Sequence, residues 1–308
     1  MSVVLEVRDL MKKYGSKQAL GKVSFTVKEG GCFGLLGPNG AGKSTTMKII
    51  AGVTEVDGGT AHVFGKDIRK AGDSIRSQVG YIPQDLTLYE TLSAESNLQF
   101  FGEMYKVRGA ELSKRIAEVL EIVGLSDRAK DAVKSFSGGM KRRINIAAAL
   151  LHKPRLVIMD EPTVGIDPQS RHHIFEMIRQ LKREGVTIIY STHYMEEVES
   201  LCDDIAIIDH GQVAAQGSLD HLLTQYAIKA VYLEVDRDMT EAAGWPGIGK
   251  VSSYGKGWML EANDPVAALG QVSSFLQQKG GAVQALEIMR PSLESVFLTL
   301  TGTTLRDE

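Results

Sequence analysis

The sequence predicts an α/β core built around a phosphate-binding loop, with an inserted helical subdomain and a small C-terminal α+β domain. Three observations predict it. An apolar run, Cys32-Phe33-Gly34-Leu35-Leu36, leads into Gly37-Pro38-Asn39-Gly40-Ala41-Gly42-Lys43-Ser44-Thr45, and a helix-like stretch from Ser44 to Ile50 follows. Between Thr91 and Leu151 strand signals almost vanish and apolar residues recur at helical spacing. From Ala227 onward short strands and helices alternate without any phosphate-binding motif.

The loop fits the pattern Gly, four residues, Gly-Lys-Ser in its required strand–loop–helix setting. Its glycines let the backbone wrap an anion, and the helix N-terminus adds partial positive charge there. Lys43 is expected to reach the β- and γ-phosphates of a nucleoside triphosphate, and the Ser44 hydroxyl to ligate Mg²⁺. A bare Gly-rich turn is the weaker explanation, because every motif position matches. The core is therefore that of a phosphate-loop NTPase.

Composition narrows the partners. A net charge of -3 gives no electrostatic footprint for nucleic acid. The longest apolar stretch, Ile144 to Leu151 apart from Asn145, is too short to span a membrane. Glu6, Arg8 and Asp9 in the first strand-like run argue against a signal peptide. Cys32 and Cys202 read as core thiols in a reducing compartment, not as a disulfide or metal site. A cytoplasmic location is expected, with any membrane role exerted through a partner.

Along the chain, Val3 to Val7 and Val23 to Val27 alternate as strands, with Lys12-Lys13-Tyr14-Gly15 as a turn between them. Tyr14 could stack on a base, although a lone Tyr is more often a packing residue. Val79 to Gln84 reads as a strand stopped by Pro83. Gln84, just past it, is either a loop cap or a holder of Mg²⁺ or water. In the helical stretch (91–151), Leu92, Leu98, Phe101 and Met104 are expected on one face, and Leu112, Ile116, Val119, Leu120 and Val123 on another. Ser137-Gly138-Gly139 at a helix start is a second anion-binding arrangement, and Lys141-Arg142-Arg143 after it reads as a solvated face.

Leu156 to Met159 is a continuous apolar run, as in a parallel strand covered on both faces. It ends in Asp160-Glu161. Strand geometry would send the two carboxylates in opposite directions, Asp160 toward the Mg²⁺ held by Ser44 and Glu161 toward a water beyond the γ-phosphate. Gly165 to Pro168 turns into a helix. Val186 to Ser191 is another buried strand, ending at Thr192-His193. Ile205 to Ile208 and Gln212 to Ala214 flank a hairpin signal, Asp209-His210-Gly211. In the tail, strands are expected at Ala230 to Val235, Val251 to Tyr254, Trp258 to Glu261 and Ala282 to Ile288. Helices are expected after Asp264-Pro265 and Pro291.

Together these residues resemble the ATP-binding subunit of ABC transporters over roughly residues 1–223. Gly37 to Thr45 stands at the phosphate loop, Gln84 at the Q-loop, and Phe136-Ser137-Gly138-Gly139-Met140 at the signature, usually Leu-Ser-Gly-Gly-Gln. Leu156 to Asp160 with Glu161 stands at the Walker B strand and catalytic glutamate, Asp167 at the D-loop, His193 at the switch histidine and Tyr14 at the adenine-stacking position. The resemblance implies catalytic roles for Glu161, His193 and Gln84. It implies nucleotide contacts from Tyr14, the phosphate loop, Ser137, Gly138, Gly139 and Asp167, and Mg²⁺ contacts from Ser44, Gln84 and Asp160. It further implies ATP and Mg²⁺ as ligands and head-to-tail pairing with a second copy or a related subunit. A separate transmembrane permease would choose the cargo, docking near Gln84, where Leu86, Leu88 and Tyr89 are candidate contacts. The Pro-Ser-Leu-Glu-Ser-Val-Phe-Leu ending resembles the extension of daunorubicin-resistance-type exporter subunits, which makes 227–308 a regulatory or assembly domain. Ribosome-bound relatives carry two nucleotide units in one chain, and DNA-repair relatives insert long coiled coils. This sequence has neither.

Overall fold

The computed structural model describes residues 2–302; Met1 and residues 303–308, the outer ends of the two expected domains, lie outside the described residues. The chain divides into two compact units, one up to Leu219 and one from Asp220.

The larger unit begins β1 (Val3–Tyr14), β2 (Lys17–Lys28), β3 (Cys32–Leu36), α1 (Lys43–Ile50), β4 (Gly58–Val63), β5 (Lys66–Asp67), α2 (Gly72–Arg76) and β6 (Val79–Ile82). It continues through α3 (Ala94–Met104), α4 (Gly109–Ile122) and α5 (Gly138–Leu150). It closes with β7 (Leu156–Asp160), α6 (Pro168–Arg183), β8 (Thr187–Thr192), α7 (Met195–Leu201), β9 (Asp204–Asp209) and β10 (Gln212–Ser218). One sheet, β2-β1-β4-β5, is antiparallel. The other runs β10-β9-β3-β8-β7-β6 and is parallel except for the edge strand β10. Every residue of β3, β7 and β8 is buried. That explains the apolar runs Cys32 to Leu36, Leu156 to Met159 and Ile188 to Tyr190, since a parallel sheet is covered on both faces. Leu5, Val7, Leu20, Phe33, Leu35, Met47, Ile158 and Ile189 share one core, each large side chain contributing about 1.5–3 kcal/mol by burial.

The register of the parallel sheet sets up the site. Leu36 lies beside Thr192, Asp160 beside Ser191, and Ile82 beside Met159. The segments leaving β3, β6, β7 and β8 therefore emerge along one sheet edge, where open α/β sheets hold their ligands.

Three sequence expectations about this unit are corrected. Lys12, Lys13 and Tyr14 are not a turn; they pair with Leu20, Gln18 and Lys17 inside β1 and β2. Asp9 takes φ 49°, the register shifts between Val7 and Leu10, and this bulge destroys the alternation that would have shown the strand continuing. Leu92 and Met104 do not join a buried face with Leu98; Leu92 precedes α3 and is 41% exposed, and Met104 at its end is 65% exposed, while α3 turns mainly Ala94, Asn97, Leu98 and Gly102 inward. Lys141, Arg142 and Arg143 are not a solvated face. Arg142 is buried and donates to the Pro83 and Gln84 carbonyls, Arg143 donates to the Val123 carbonyl, and Lys141 pairs with Glu90. Partners so distant in sequence cannot be read from the local charge pattern. The cysteines are free and buried, with their sulfurs 3.6 Å apart.

The smaller unit takes in α8 (Leu219–Tyr226), which starts at the boundary, β11 (Ala230–Val235), β12 (Ile248–Tyr254), β13 (Gly257–Ala262), α9 (Pro265–Lys279), β14 (Val283–Ile288) and α10 (Leu293–Thr301). Its antiparallel sheet runs β12-β13-β11-β14. The Asp264 carboxylate caps α9 by accepting from the Val266 and Ala267 N–H groups, and Pro265 opens the helix. Ala268, Val272 and Leu276 of α9 share a core with Val231, Leu233 and Leu260.

Candidate nucleotide site

A cavity of about 580 Å³ opens at the sheet edge. Its lining includes Tyr14, Asn39, Gly40, Gly42, Lys43, Ser44, Thr45, Gln84, Glu161 and His193, contributed by segments far apart in sequence. The loop shape is specified by glycine. Gly42 and Gly40 hold φ of 107° and 79°, and a Cβ at Gly37 would sit 2.1 Å from the Ile208 carbonyl oxygen. Ala41 is buried, its N–H bonded to the Pro38 carbonyl and its own carbonyl to the Gly211 N–H. No side chain caps α1 and no acid occupies its first turn, so its N-terminal partial charge meets the loop undiluted.

The charged groups interlock. Lys43 Nζ donates to the Gly37 and Pro38 carbonyls at 2.7 and 3.1 Å and lies 3.0 Å from Glu161 Oε1. Gln84 Nε2 donates to Glu161 Oε2 at 3.4 Å, and His193 Nδ1 stands 3.6 Å from Glu161 Oε1. That His193 nitrogen is buried without a hydrogen-bond partner. Asp160, 1% exposed, accepts from Ser44 Oγ at 2.9 Å and Ser191 Oγ at 2.8 Å on the same oxygen. Burial pushes the Asp160 carboxyl above its ordinary range and Glu161 adds repulsion, against the pull of the two hydroxyls.

The two carboxylates do not diverge as strand alternation predicted. β7 ends at Asp160, and Glu161 takes φ 46°, in the left-handed region. Its N–H is held by Ser191 Oγ at 3.1 Å. The chain turns at that residue, which brings Glu161 into the cavity beside Lys43, next in sequence to the Ser44 that donates to Asp160. A non-glycine residue in this conformation stores strain of order 1–3 kcal/mol, a cost that clusters at functional sites.

The segment expected to form a second anion site sits elsewhere. Ser137 caps α5 by accepting from the Met140 N–H at 3.3 Å, and neither it nor Gly138 nor Gly139 lines the cavity. The two glycines differ. A Cβ at Gly138 meets nothing within 4 Å, whereas one at Gly139 would lie 2.0 Å from Ser170 Oγ. Gly139 is required for α5 to approach α6, and Gly138 is open to a ligand. Asp167 is also outside the cavity lining; its carboxylate caps α6 by accepting from the Ser170 N–H at 2.9 Å.

Sequence reasoning missed Ser191, Arg142 and the cavity residues Lys17, Ala19 and Val164. Only Ser191 left a signal, a hydroxyl at a strand end beside Thr192-His193. The loop, the free His193 nitrogen and the Ser44–Asp160 pair fit a nucleoside triphosphate with a divalent cation. Among the described residues, no group of three or more His, Cys, Asp or Glu could hold a metal. Ser44 and Asp160 thus suit an ion that completes its shell with phosphate and water oxygens, as Mg²⁺ does.

Fold and site define a phosphate-loop ATPase with a second glycine-rich helix start, capped by Ser137, outside its own cavity. The ABC transporter family profile matches residues 20–164, and that of the DrrA1-3-like ATP-binding protein C-terminal domain matches residues 217–301. The linearmycin resistance ATP-binding protein of Bacillus subtilis is 45% identical over 99% of this chain and 100% of its own length. A Nod factor export ATP-binding protein of Ralstonia nicotianae is 39% identical over 99% of this chain and 95% of its own length. The solved ATP-binding subunit of an ABC transporter superposes with a TM-score of 0.66 at 36% identity, covering 72% of this chain and 93% of that one. The chain belongs to the ABC transporter family as one of its ATP-binding, ATP-hydrolysing subunits, with a C-terminal domain of the daunorubicin-resistance type.

Proposed function

We propose that this chain works in pairs, with a second copy or a related subunit, and powers export through a separate permease from the cytoplasmic face of the membrane. The observation that carries the pairing is the division of the site: the cavity is lined by the phosphate loop and not by Ser137 and Gly138. Open space at Gly138 and the N-terminus of α5 suit the γ-phosphate of a nucleotide bound to the other subunit. The Nod factor and linearmycin relatives named above support export as the work done. Among the described residues no helix is long and apolar enough to cross a membrane, so the membrane path is assigned to a partner.

In this reading Tyr14, half exposed at the cavity mouth, stacks on the adenine. The loop amides and Lys43 hold the phosphates, and Ser44 with Asp160 would hold Mg²⁺. The ion supplies charge neutralisation at the β- and γ-phosphates. Glu161 orients and deprotonates the attacking water, His193 contacts the γ-phosphate, and Gln84 reports the state of Glu161 to the permease. The permease surface is built from Leu86, Tyr89, Leu92, Phe100 and Met104, all exposed, with Tyr89 and Phe100 edge to face at 5.0 Å. Asn97 and Asn145 pin the loop that presents them, bonding Tyr89 and Thr87.

Mixing two dead variants tests the pairing. Ser137→Arg should bind ATP as a monomer yet fail to hydrolyse it, and Lys43→Ala should bind it about tenfold or more weakly and fail to hydrolyse it. A mixed dimer carries one site with both lesions and one with neither, so activity should rise on mixing. No rise, with heterodimers confirmed by mass spectrometry, would refute a shared site whose halves turn over independently.

A further inference from the structure

Glu197 is a buried charge that the nucleotide site, as read above, does not use. It lies on α7, 1% exposed and outside the cavity lining. Its Oε1 accepts from Thr163 Oγ1 at 2.7 Å. Its Oε2 accepts from Tyr190 Oη at 2.9 Å and Thr192 Oγ1 at 2.8 Å. Arg171 Nε on α6 stands 3.6 Å from Oε1. Burying a carboxylate costs several kcal/mol unless it is paired and hydrogen-bonded, and an apolar residue would fill the space more cheaply.

The partners explain the choice of a carboxylate, because they belong to three segments that adjoin the site: the turn after Glu161, the end of β8 and the start of α6. Thr163 follows Glu161 by two residues, and its carbonyl accepts from the Ile166 N–H, beside Asp167. Thr192 directly precedes His193, and its hydroxyl accepts from the Tyr194 N–H at 3.0 Å. Arg171 lies one turn into the helix that Asp167 caps, and its N–H donates to the Asp167 carbonyl at 2.9 Å. A second path joins the same segments: the Arg171 guanidinium lies 5.3 Å from the Tyr194 ring centroid, and that ring lies 4.1 Å from the His193 ring. One carboxylate therefore ties the turn after Glu161, the strand end carrying His193 and the start of α6.

We infer that Glu197 is a positioning residue for ATP hydrolysis, acting through Thr192, Thr163 and Arg171 to hold His193, Glu161 and the Asp167 segment in one fixed arrangement. The inference rests on Glu161 and His193 being the site residues proposed above. Its consequence is that movement of the Asp167 segment, where the second subunit would dock, reaches His193 through Arg171 and Glu197 without passing through the nucleotide.

The test uses the full chain. Glu197→Gln keeps the volume and one acceptor oxygen, and the surrounding hydroxyls can turn to accept from the new amide. Its kcat should fall about 10–100-fold, the range that a misplacement near 1 Å produces, while ATP affinity and Tm stay close to wild type. His193→Ala combined with Glu197→Gln should lose less than the product of the two single losses, since part of the Glu197 effect passes through the same imidazole. Arg171→Gln alters a side chain that is 33% exposed, so it should fold readily and show a smaller loss of kcat; it decides the matter if Glu197→Gln does not fold. Wild-type kcat in Glu197→Gln, or in Arg171→Gln where the former does not fold, overturns the inference. So does a loss that multiplies in full with that of His193→Ala. If His193→Ala and Glu161→Gln both turn over at the wild-type rate, the site reading itself fails and takes the inference with it.

Discussion

The two units of the chain treat charge in opposite ways. The larger buries Lys43, Arg142, Asp160, Glu161 and Glu197, each 5% exposed or less. In the smaller, the one buried polar residue among those described is Ser295, a capping hydroxyl of α10. Ionic groups out of water cost more than apolar residues of the same size. A chain that tolerates this in one unit and avoids it in the other keeps its buried charge in the unit that forms the nucleotide cavity. The larger unit accepts strain at Glu161 and a disfavoured charge at Asp160; the smaller is an ordinary two-layer packing of helix on antiparallel sheet.

The sharpest way to break this comparison is Glu161→Gln. The isosteric amide keeps the Gln84 and Lys43 neighbours but cannot take a proton, so kcat should drop by about 10²–10⁴-fold while ATP binding persists. A phosphate-release assay paired with equilibrium binding of ATP reads both. Hydrolysis at the wild-type rate would place the base elsewhere.

Lys43→Ala should act on binding and on folding at once. Removing a charged donor of phosphate costs about 1.5–3 kcal/mol, or tenfold and more in ATP affinity by calorimetry. It also strips Glu161 of the partner that lies 3.0 Å away in a setting where both side chains are under 10% exposed, so Tm should fall. Adding Glu161→Gln should restore part of that Tm. A Tm insensitive to either change would show that this buried pair contributes nothing to stability.

Asp160→Asn gives a smaller effect of the opposite sign. The folded protein holds this carboxyl above its ordinary range, chiefly through burial. The ionised form is therefore disfavoured in the fold, and the penalty is present above the folded pKa and fades as pH falls through it. A neutral isostere should raise Tm at pH 7 in the absence of nucleotide, and the gain should shrink in acid. Mg²⁺-dependent hydrolysis should be lost in the same variant. A lower Tm at pH 7 would contradict the sign.

How much of this was legible in the sequence follows from the range of the forces involved. The phosphate loop, the buried runs Cys32 to Leu36 and Leu156 to Met159, and the strand-end position of His193 depend on neighbours in sequence, and all are found where expected. The tail hairpin around Gly255-Lys256 and the Asp264 cap are local in the same sense. What escaped depends on distant partners. Arg142 looks like a surface residue until the Pro83 and Gln84 carbonyls are placed beside it. Glu197 looks like one of several acids on an exposed helix until three hydroxyls and Arg171 close on it. Glu161 was identified by its neighbourhood, but its direction was misjudged, because nothing local announces a left-handed residue there.

The smallest expected effect on the nucleotide site concerns the smaller unit. We propose that it serves regulation or assembly, since it contributes no residue to the nucleotide cavity and carries its own apolar core. Truncation after Ala227 keeps α8 whole and removes the antiparallel sheet. The larger unit has an independent core, so the shortened chain should fold and bind ATP with an affinity within about twofold of wild type, the tolerance for changes at distant, independent sites. Hydrolysis should shift modestly in either direction, and export through the permease, or yield of the assembled complex, should suffer more. A segment that merely covered apolar surface would instead give an aggregating truncation, rescued by detergent with unchanged coupling. Abolished ATP binding in a soluble, folded truncation would show that the smaller unit helps to build the nucleotide site, and the division of labour between the units would be wrong. Full ATPase activity with normal permease binding and normal export would leave the smaller unit without the regulatory or assembly role proposed for it.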